Sequence, residues 1–129
     1  MDIELLSIRS KGNLCYLEEE RDFPFQIKRM YYIHSEETGE HRGFHAHKTL
    51  KQVLVCVYGE VCVLLDNGYD KAEVLLDNPS KGLLLSEMIW REMIWMKDNS
   101  VLCVLASDYY NEMDYIRDYN EFLRRCLCK

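Results

Sequence analysis

Short apolar segments rich in β-branched residues recur along the chain, and this recurrence is the feature that most restricts its fold. Turn-forming residues separate the segments, and Asn67-Gly68 is among the strongest hairpin signals that a sequence can carry. Short strands at regular spacing with turns between them are typical of an all-β sandwich or barrel. The predicted strands are Ile27–Ile33, Gln52–Tyr58, Val61–Leu65, Ala72–Leu76, Gly82–Leu85, Met88–Met96 and Val101–Ala106.

The last part of the chain follows a different period. From Asn111 onward, apolar residues such as Met113, Ile116 and Leu123 recur three to four positions apart, which indicates one C-terminal helix with Asn111 as its N-cap. The 129 residues are enough for one hydrophobic core and too few for two ordinary domains. We therefore expect a single domain over residues 1–129.

The charge balance disfavours several classes of partner. Lys and Arg total 16 against 22 Asp and Glu, which gives a formal net charge of -6. General binding to nucleic acids or anionic membranes is therefore not expected, although a local cluster of arginines can still bind a small anion. The first residues lack the pattern of a secretory signal, and no apolar run is long enough to span a bilayer. Cys56, Cys62 and Cys103 lie inside apolar strands, as buried thiols do in a reducing compartment, so the sequence predicts a cytoplasmic protein.

Two histidines stand one residue apart in the motif RGFHAHK, residues 42–48. Side chains two apart on a strand point the same way, so His45 and His47 both face the interior of a barrel or both face solvent. Their place just before a strongly apolar strand favours the interior. From the pair alone, solvated histidines at a strand edge are about as good an interpretation as a functional pair.

The spacing around the histidines resembles the first cupin motif, in which two histidines and a glutamate usually bind a metal. Gln52 stands at the glutamate position, and a neutral amide is a poorer ligand for a divalent ion. In the second motif Arg91 replaces the usual histidine, and a guanidinium cannot coordinate a metal. The resemblance therefore implies a cupin-like jelly-roll β-barrel with a short C-terminal helix and without a metal, in which the histidines serve acid-base chemistry.

A longer set of motifs resembles one family, the nucleotide-linked sugar 3,4-ketoisomerases, which act on dTDP-4-oxo-6-deoxy-glucose in bacterial deoxysugar biosynthesis. These motifs cover most of the chain in the same order, so the combination is far more specific than an isolated histidine pair. The matching segments are PFQIKRMYYI (24–33), RGFHAHK (42–48), QVLVC (52–56), WREM (90–93), LASDYY (105–110) and DYIR (114–117).

This resemblance implies an isomerase that moves the ketone of the sugar from C4 to C3 without a cofactor. The C4 carbonyl acidifies the proton on C3, so a positioned base can form an enediol that is then reprotonated at C4. His45 is the expected base, His47 its proton-transfer or orienting partner, and Tyr31 the hydroxyl that exchanges protons with the sugar oxygens. The family also implies a homodimer whose subunits exchange N-terminal strands.

Four basic residues are the candidates for substrate binding. Arg29 and Arg42 are favoured for the diphosphate or a developing oxyanion, because the guanidinium fork matches such oxygens. Arg91 and Lys11 stand at positions that vary within the family, and they leave the C4 configuration of the product, gluco or galacto, open. Plainer interpretations are that Tyr31 is a core tyrosine and that Arg29 or Arg42 is a surface charge, although Arg42 adjoins the histidine motif, which weakens this interpretation for it.

Two alternatives to the isomerase remain at this point. The first is a barrel that binds a nucleotide sugar without acting on it, in which the loss of His45 would be tolerated. The second is a neighbouring enzyme type, either a sugar-nucleotide epimerase or a metal-dependent cupin oxygenase. The replaced ligands at Gln52 and Arg91 argue against the oxygenase.

Overall fold

In the computed structural model, which describes residues 1–127, the chain forms two five-stranded sheets, a separate two-stranded hairpin and one C-terminal α-helix. The strands are β1 (Ile3–Ser7), β2 (Arg9–Lys11), β3 (Leu14–Tyr16), β4 (Arg29–Ser35), β5 (His41–His47), β6 (Gln52–Tyr58), β7 (Val61–Asp66), β8 (Lys71–Leu76), β9 (Lys81–Leu85), β10 (Trp90–Trp95), β11 (Ser100–Ala106) and β12 (Tyr115–Ile116). The helix α1 spans Tyr119–Leu127.

From β4 onward the chain passes back and forth between the two sheets, except that β7 and β8 follow each other in the second sheet. The first sheet has the order β1-β9-β6-β11-β4, and the second has the order β12-β5-β10-β7-β8. Neighbouring strands within each sheet run antiparallel. This arrangement confirms the all-β, cupin-like fold predicted from the sequence.

The main core lies between the facing sides of the two sheets. Alternate residues of the central strands point into it, which explains the strong β-branched content of these segments. Trp95 is completely buried and its indole nitrogen donates a hydrogen bond to the carbonyl of Ser100 at 2.9 Å. The other buried members of this core are Leu54, Cys56, Val61, Val63, Leu65, Leu76, Leu83, Leu85, Ile89, Met93, Leu102 and Val104.

Two tight hairpins follow the turn signals of the sequence. The strands β7 and β8 pair in register across Asn67-Gly68, as predicted, and the Asp66 carboxylate accepts a hydrogen bond from the Gly68 N–H at 2.7 Å. Gly59 joins β6 to β7 with a φ of 85°. A Cβ atom at Gly59 would lie 2.1 Å from the hydroxyl oxygen of the fully buried Ser100.

The C-terminal region differs from the prediction in one respect. A helix is present, but it begins at Tyr119 rather than near Asn111, and the Asp118 carboxylate accepts from the Asn120 N–H at 2.9 Å at its start. Asn111 instead caps a short 3₁₀ turn over Glu112–Asp114. The reason is tertiary, because β12 follows that turn and pairs with β5 of the second sheet.

The apolar pattern of the sequence did not predict strands in the N-terminal segment, and only the family resemblance implied them. In the structure β1 pairs with β9 of the same chain, and β2 with β3 forms a hairpin beside the barrel. The exchange of N-terminal strands between subunits therefore stays a prediction. Within residues 1–127, no helix has the length and hydropathy that a membrane span requires.

Gly59 provides a test of the hairpin geometry, with Gly39 as a matched control. Both have a positive φ, 85° and 91°, but a Cβ at Gly39 meets no atom within 4 Å. Gly39→Ala should cost about 1 to 2 kcal/mol of unfolding free energy through backbone strain alone. Gly59→Ala should cost about 1 to 3 kcal/mol more, because the new methyl group collides with Ser100.

Urea unfolding of both variants, with the wild type, measures this difference. Equal losses for the two variants would show that the backbone at Ser100 moves away freely, contrary to the packing described here.

Candidate active site

A cavity of about 370 Å³ opens between the two sheets and collects most of the residues predicted to be functional. The first sheet contributes side chains from β4, β6 and β11, the second contributes β5 and β10, and β12 closes one side. The lining residues are Arg29, Tyr31, Ile33, Arg42, Gly43, His45, Gln52, Leu54, Arg91, Met93, Val104, Tyr115 and Arg117.

An irregularity in β5 decides which of its side chains reach this cavity. Opposite β10, His45 pairs with Arg91 and Gly43 pairs with Glu92, so Phe44 is an extra residue in the ladder. Such a bulge reverses the alternation of side chains along the strand. Arg42 therefore lies on the same face as His45 although the two are three positions apart. Gly43 is needed here, since its φ is 96° and a Cβ would lie 2.8 Å from the Arg91 carbonyl oxygen.

His45 is held as a neutral imidazole with a defined tautomer. Its Nδ1 lies 3.1 Å from the carbonyl oxygen of Gly43, which can only accept, so Nδ1 carries the proton and Nε2 keeps a free lone pair. Burial lowers the pKa of His45 to about 4, and the nearby positive charge of Arg91 contributes to this shift. At neutral pH this side chain is thus an unprotonated base in the cavity wall.

His47 lies behind His45 and is completely buried. Its Nδ1 is 3.1 Å from an Asp114 carboxylate oxygen, while the other Asp114 oxygen accepts from the N–H and the hydroxyl of Thr49 at 2.9 Å each. Burial, followed by the charge of Arg91, lowers the pKa of His47 far below its ordinary value. Its Nε2 is buried without a hydrogen-bond partner, and its ring lies edge-on to the His45 ring at 4.9 Å. His47 is therefore not part of the cavity wall itself.

The residues that replaced two cupin metal ligands are bonded to each other. Arg91, which is 2% exposed, donates from Nη1 to Gln52 Oε1 and from Nε and Nη2 to the Ile89 carbonyl at 3.2 Å each. Gln52 in turn donates from Nε2 to the Tyr31 hydroxyl at 3.0 Å. His45, His47, Gln52 and Arg91 do not fit a divalent cation. The Arg91 guanidinium already donates to the Gln52 amide oxygen, and it places a positive charge beside the histidines.

Positive charge dominates the cavity wall. Four arginines (Arg29, Arg42, Arg91 and Arg117) and no carboxylate belong to the lining residues given above. The Arg29 guanidinium lies over the Tyr31 ring at 5.1 Å, and its Nε is buried without a hydrogen-bond partner. In a chain with a formal net charge of -6, this concentration of arginine indicates a site for an anion.

The prediction from sequence gave no role to Tyr115, Arg117 or Asp114, although DYIR was among the matched motifs. The Tyr115 ring contacts both histidine rings, at 5.0 Å from His45 and 4.5 Å from His47. The Arg117 guanidinium lies over Tyr115 at 4.2 Å. A short two-residue strand carries no sequence signal of its own, so only the resemblance pointed to this segment.

Lys11 is the one predicted substrate-binding residue that this chain does not bring to the cavity. It is exposed in β2, on the hairpin beside the barrel, and it is absent from the lining. A larger cavity of about 670 Å³ lies on the outer face of the second sheet. It contains none of the predicted residues, and its three carboxylates (Asp66, Glu73 and Glu92) make it unsuitable for an anion.

Comparisons with known proteins show which family the chain belongs to. The sequence profile of the FdtA family, described as "WxcM-like, C-terminal", matches residues 1–126. The chain is 50% identical over 115 residues to TDP-4-oxo-6-deoxy-alpha-D-glucose-3,4-oxoisomerase of Aneurinibacillus thermoaerophilus, an alignment that covers 89% of this chain and 83% of the relative.

Two solved structures are similar over nearly the whole chain. The crystal structure of a 3,4-ketoisomerase from Helicobacter canadensis has a TM-score of 0.94 and 41% identity, covering 98% of both chains. A single-site mutant of the 3,4-ketoisomerase QdtA from Thermoanaerobacterium thermosaccharolyticum, in complex with TDP-4-keto-6-deoxyglucose, has a TM-score of 0.94 and 36% identity, covering 98% of this chain and 95% of that chain.

The neutral state of His45 leads to a prediction about stability and pH. Its pKa is about 4 in the folded chain against the ordinary value of 6.5, so in this window the unfolded state binds the proton first. The free energy of unfolding should therefore fall as the pH falls from 6.5 towards 4. Between about pH 7 and pH 5, the wild type should lose about 1 to 2 kcal/mol more than a His45→Asn variant.

Urea unfolding of both proteins at the two pH values tests this, since all other titrating groups are shared. Identical losses would mean that His45 is not held neutral in the folded protein.

Proposed function

The chain belongs to the WxcM-like FdtA family, and on this premise we propose that it catalyses the 3,4-ketoisomerisation of TDP-4-oxo-6-deoxy-glucose. The observation that carries the proposal is a neutral His45, with Nε2 free, in the wall of a cavity lined by arginines. The family predicted from the sequence motifs is confirmed by the profile match over residues 1–126.

His45 is proposed as the base that moves the carbon-bound proton. The Nε2 lone pair takes the proton from C3, which the neighbouring C4 carbonyl makes acidic, and an enediol forms. The imidazolium then returns this proton to C4, and the ketone appears at C3. A low pKa keeps most of the base unprotonated at neutral pH, so it is ready before the substrate binds.

Tyr31 is proposed to move the oxygen-bound proton. As the enediol forms, the hydroxyl donates its proton to O4, and as the enediol collapses it takes the proton of the O3 hydroxyl. One proton thus passes from C3 to C4 and one from O3 to O4, which balances the reaction without a redox cofactor. Burial raises the pKa of Tyr31, which keeps the phenol protonated at the start of this sequence.

The arginines are proposed to bind the diphosphate and the developing oxyanion. Arg42 and Arg117 are exposed at the cavity, where each pairs with one carboxylate (Glu40 and Glu112), and they suit the diphosphate. The buried Arg91 is fixed near His45 and suits the sugar. Arg29, with its free Nε, serves either group. A guanidinium matches phosphate oxygens in two-pronged bonds, which a lysine cannot form.

His47 is proposed to orient His45 rather than to touch the sugar. Its ring supports that of His45 from the buried side, and Asp114 holds its Nδ1 proton. The prediction from sequence allowed both a proton-transfer and an orienting role, and the complete burial of His47 supports the second.

The alternatives left by the sequence are less well supported. A binding module needs no unprotonated base in the cavity, and the relative with 50% identity over most of the chain is an oxoisomerase. An oxygenase needs a metal, for which Gln52 and Arg91 are unsuitable.

We also propose a homodimer formed through the outer face of the first sheet. Met30 and Tyr32 of β4 and Val57 of β6 point away from the core and are 57%, 63% and 48% exposed. An apolar face of this kind on a regular sheet is typical of a subunit interface. Lys11 can serve as a substrate-binding residue only in such an assembly, because it would have to reach the cavity of the partner through exchange of the N-terminal strands.

Two further proposals concern the whole chain. One domain over residues 1–129 is supported by the main core, to which both sheets contribute. A cytoplasmic location is supported by the thiols of Cys15, Cys56, Cys62 and Cys103, none of which forms a disulfide.

The function is tested with a His45→Asn variant, because an amide cannot accept the carbon-bound proton. Its rate of conversion of TDP-4-oxo-6-deoxy-glucose should fall by about 100- to 10,000-fold, while the affinity for TDP stays within about threefold. The measurement is proton NMR in D₂O, in which a 3-oxo sugar appears and the C4 coupling reports the gluco or galacto configuration. His41→Asn, at the exposed first residue of β5 and outside the cavity lining, is the matched control and should keep full activity.

If the wild type binds the sugar nucleotide without changing it, the enzyme proposal is wrong and the barrel is a binder. If His45→Asn keeps the wild-type rate, another residue is the base.

The dimer is tested by sedimentation at micromolar concentration. The wild type should sediment at twice its chain mass of 15.4 kDa. Tyr32→Asp should dissociate it, since burying a carboxylate in an apolar interface costs several kcal/mol. Leu75→Asp, at a residue 41% exposed on the other sheet, is the control and should remain dimeric. A wild type that sediments only as the single chain would refute the proposal.

A further inference from the structure

Gln52 is buried inside the barrel between a fixed cation and a phenol. It begins β6 in the first sheet, is 1% exposed, and reaches across the interior to Arg91 in β10 of the second sheet. The amide of Gln52 is buried and hydrogen-bonded at both its oxygen and its nitrogen. Moving it would break these hydrogen bonds and leave buried polar atoms without partners, which costs free energy. The side chain is therefore held in one position.

Arg91 decides which way round the amide of Gln52 stands. A guanidinium has donors and no acceptor, so the atom of Gln52 that it contacts has to be the carbonyl oxygen. The guanidinium itself cannot turn, because two of its other nitrogens donate to the Ile89 carbonyl at 3.2 Å. The amide NH₂ group of Gln52 consequently points to Tyr31.

The orientation of the amide in turn decides the direction of the hydrogen bond at the Tyr31 hydroxyl. The Tyr31 oxygen lies 3.0 Å from Gln52 Nε2 and accepts its hydrogen bond, so the phenol proton points elsewhere. Among the hydrogen bonds of residues 1–127 there is none in which this hydroxyl is the donor. Tyr31 lines the same cavity as His45, so its proton is available to a group bound there.

We infer that Gln52 is a positioning residue that sets the Tyr31 hydroxyl as a hydrogen-bond donor to the sugar oxygen on which negative charge develops. The chain of donors runs from Arg91 through Gln52 to Tyr31 and ends on the substrate. This inference rests on the proposed function for its substrate, but the hydrogen-bond polarity of the chain does not depend on turnover.

The inference also gives Gln52 a reason to be an amide. A glutamate at this position would accept from Arg91 with one oxygen and from the Tyr31 hydroxyl with the other. The phenol proton would then point to the carboxylate and away from the cavity. An amide is the side chain of this length that accepts at one end and donates at the other.

The kinetic test is a double-mutant cycle with Gln52→Glu and Tyr31→Phe. In the wild-type background, Gln52→Glu should lower kcat by about 10- to 100-fold with a small change in KM, because a donor to the developing charge is lost. In the Tyr31→Phe background, the same change should alter kcat by less than about threefold, because no hydroxyl remains to be turned. Equal losses in both backgrounds would overturn the inference, since Gln52 would then act through Arg91 or through charge alone.

Three controls keep the cycle interpretable. All assays contain a chelator, because Gln52→Glu places a carboxylate beside His45 and His47 and could create a metal site. Gln26→Glu adds the same charge at an exposed position outside the cavity and should leave kcat unchanged. Gln52→Met removes the amide donor without adding a charge, and it replaces the glutamate variant if that protein does not fold. Its loss of kcat should likewise require Tyr31.

A second measurement reads the hydrogen bond directly. Protein labelled with ¹³C at the tyrosine Cζ gives one resonance per tyrosine, and the signal missing from Tyr31→Phe identifies Tyr31. In Gln52→Glu this resonance should move downfield, because the phenol now donates to a carboxylate, while it should stay in place in Gln26→Glu. No movement in Gln52→Glu would overturn the inference.

The two measurements separate the two proposals. If the wild type fails to convert the sugar, the proposed function is wrong, and the ¹³C shift still decides the polarity of the Gln52 hydrogen bond. If the wild type is active and the effects of Gln52→Glu and Tyr31→Phe on kcat are additive, the proposed function is supported and the proposed role of Gln52 is wrong.

Discussion

The buried guanidinium of Arg91 is the constraint on which the rest of the site depends. A charge that is 2% exposed is tolerated only where its donors are satisfied, and here the Ile89 carbonyl and Gln52 accept from it. Because Arg91 lies on one sheet and Gln52 on the other, this bond fixes the spacing of the two sheets at the cavity. The same charge disfavours protonation of His45, so a structural bond also shapes the chemistry of the base.

The cavity places the desolvated imidazole of His45 among several arginines, and both the burial and the positive charge disfavour its protonated form. A base near several arginines loses affinity for a proton, which weakens it but keeps it unprotonated at neutral pH. The bulge at Phe44 brings the two groups together, because it turns the Arg42 side chain to the same face of β5 as His45. Gly43 permits this turn because its φ of 96° and its contact with the β10 backbone exclude a side chain.

Much of the fold was readable from the sequence because the strands are short, apolar and separated by clear turns. The predicted range Gln52–Tyr58 coincides with β6, and the Asn67-Gly68 turn joins β7 to β8 as expected. The start of the helix was wrong because the period of apolar residues after Asn111 also suits a turn followed by a strand. Pairing of β12 with β5 is a long-range contact, and local periodicity holds no information about it.

The sequence by itself determined the family, the pair of histidines on one strand face and the loss of two metal ligands at Gln52 and Arg91, because residue identity and spacing carry these features. Only the tertiary structure decided that His47 is buried behind His45, that Tyr115 lies against both rings, and that Lys11 is outside the cavity of its own chain. Only the tertiary structure also decided the tautomer of each histidine and the orientation of the Gln52 amide. They depend on which acceptor or donor lies within about 3 Å in space, and the folded arrangement of distant strands alone sets that distance.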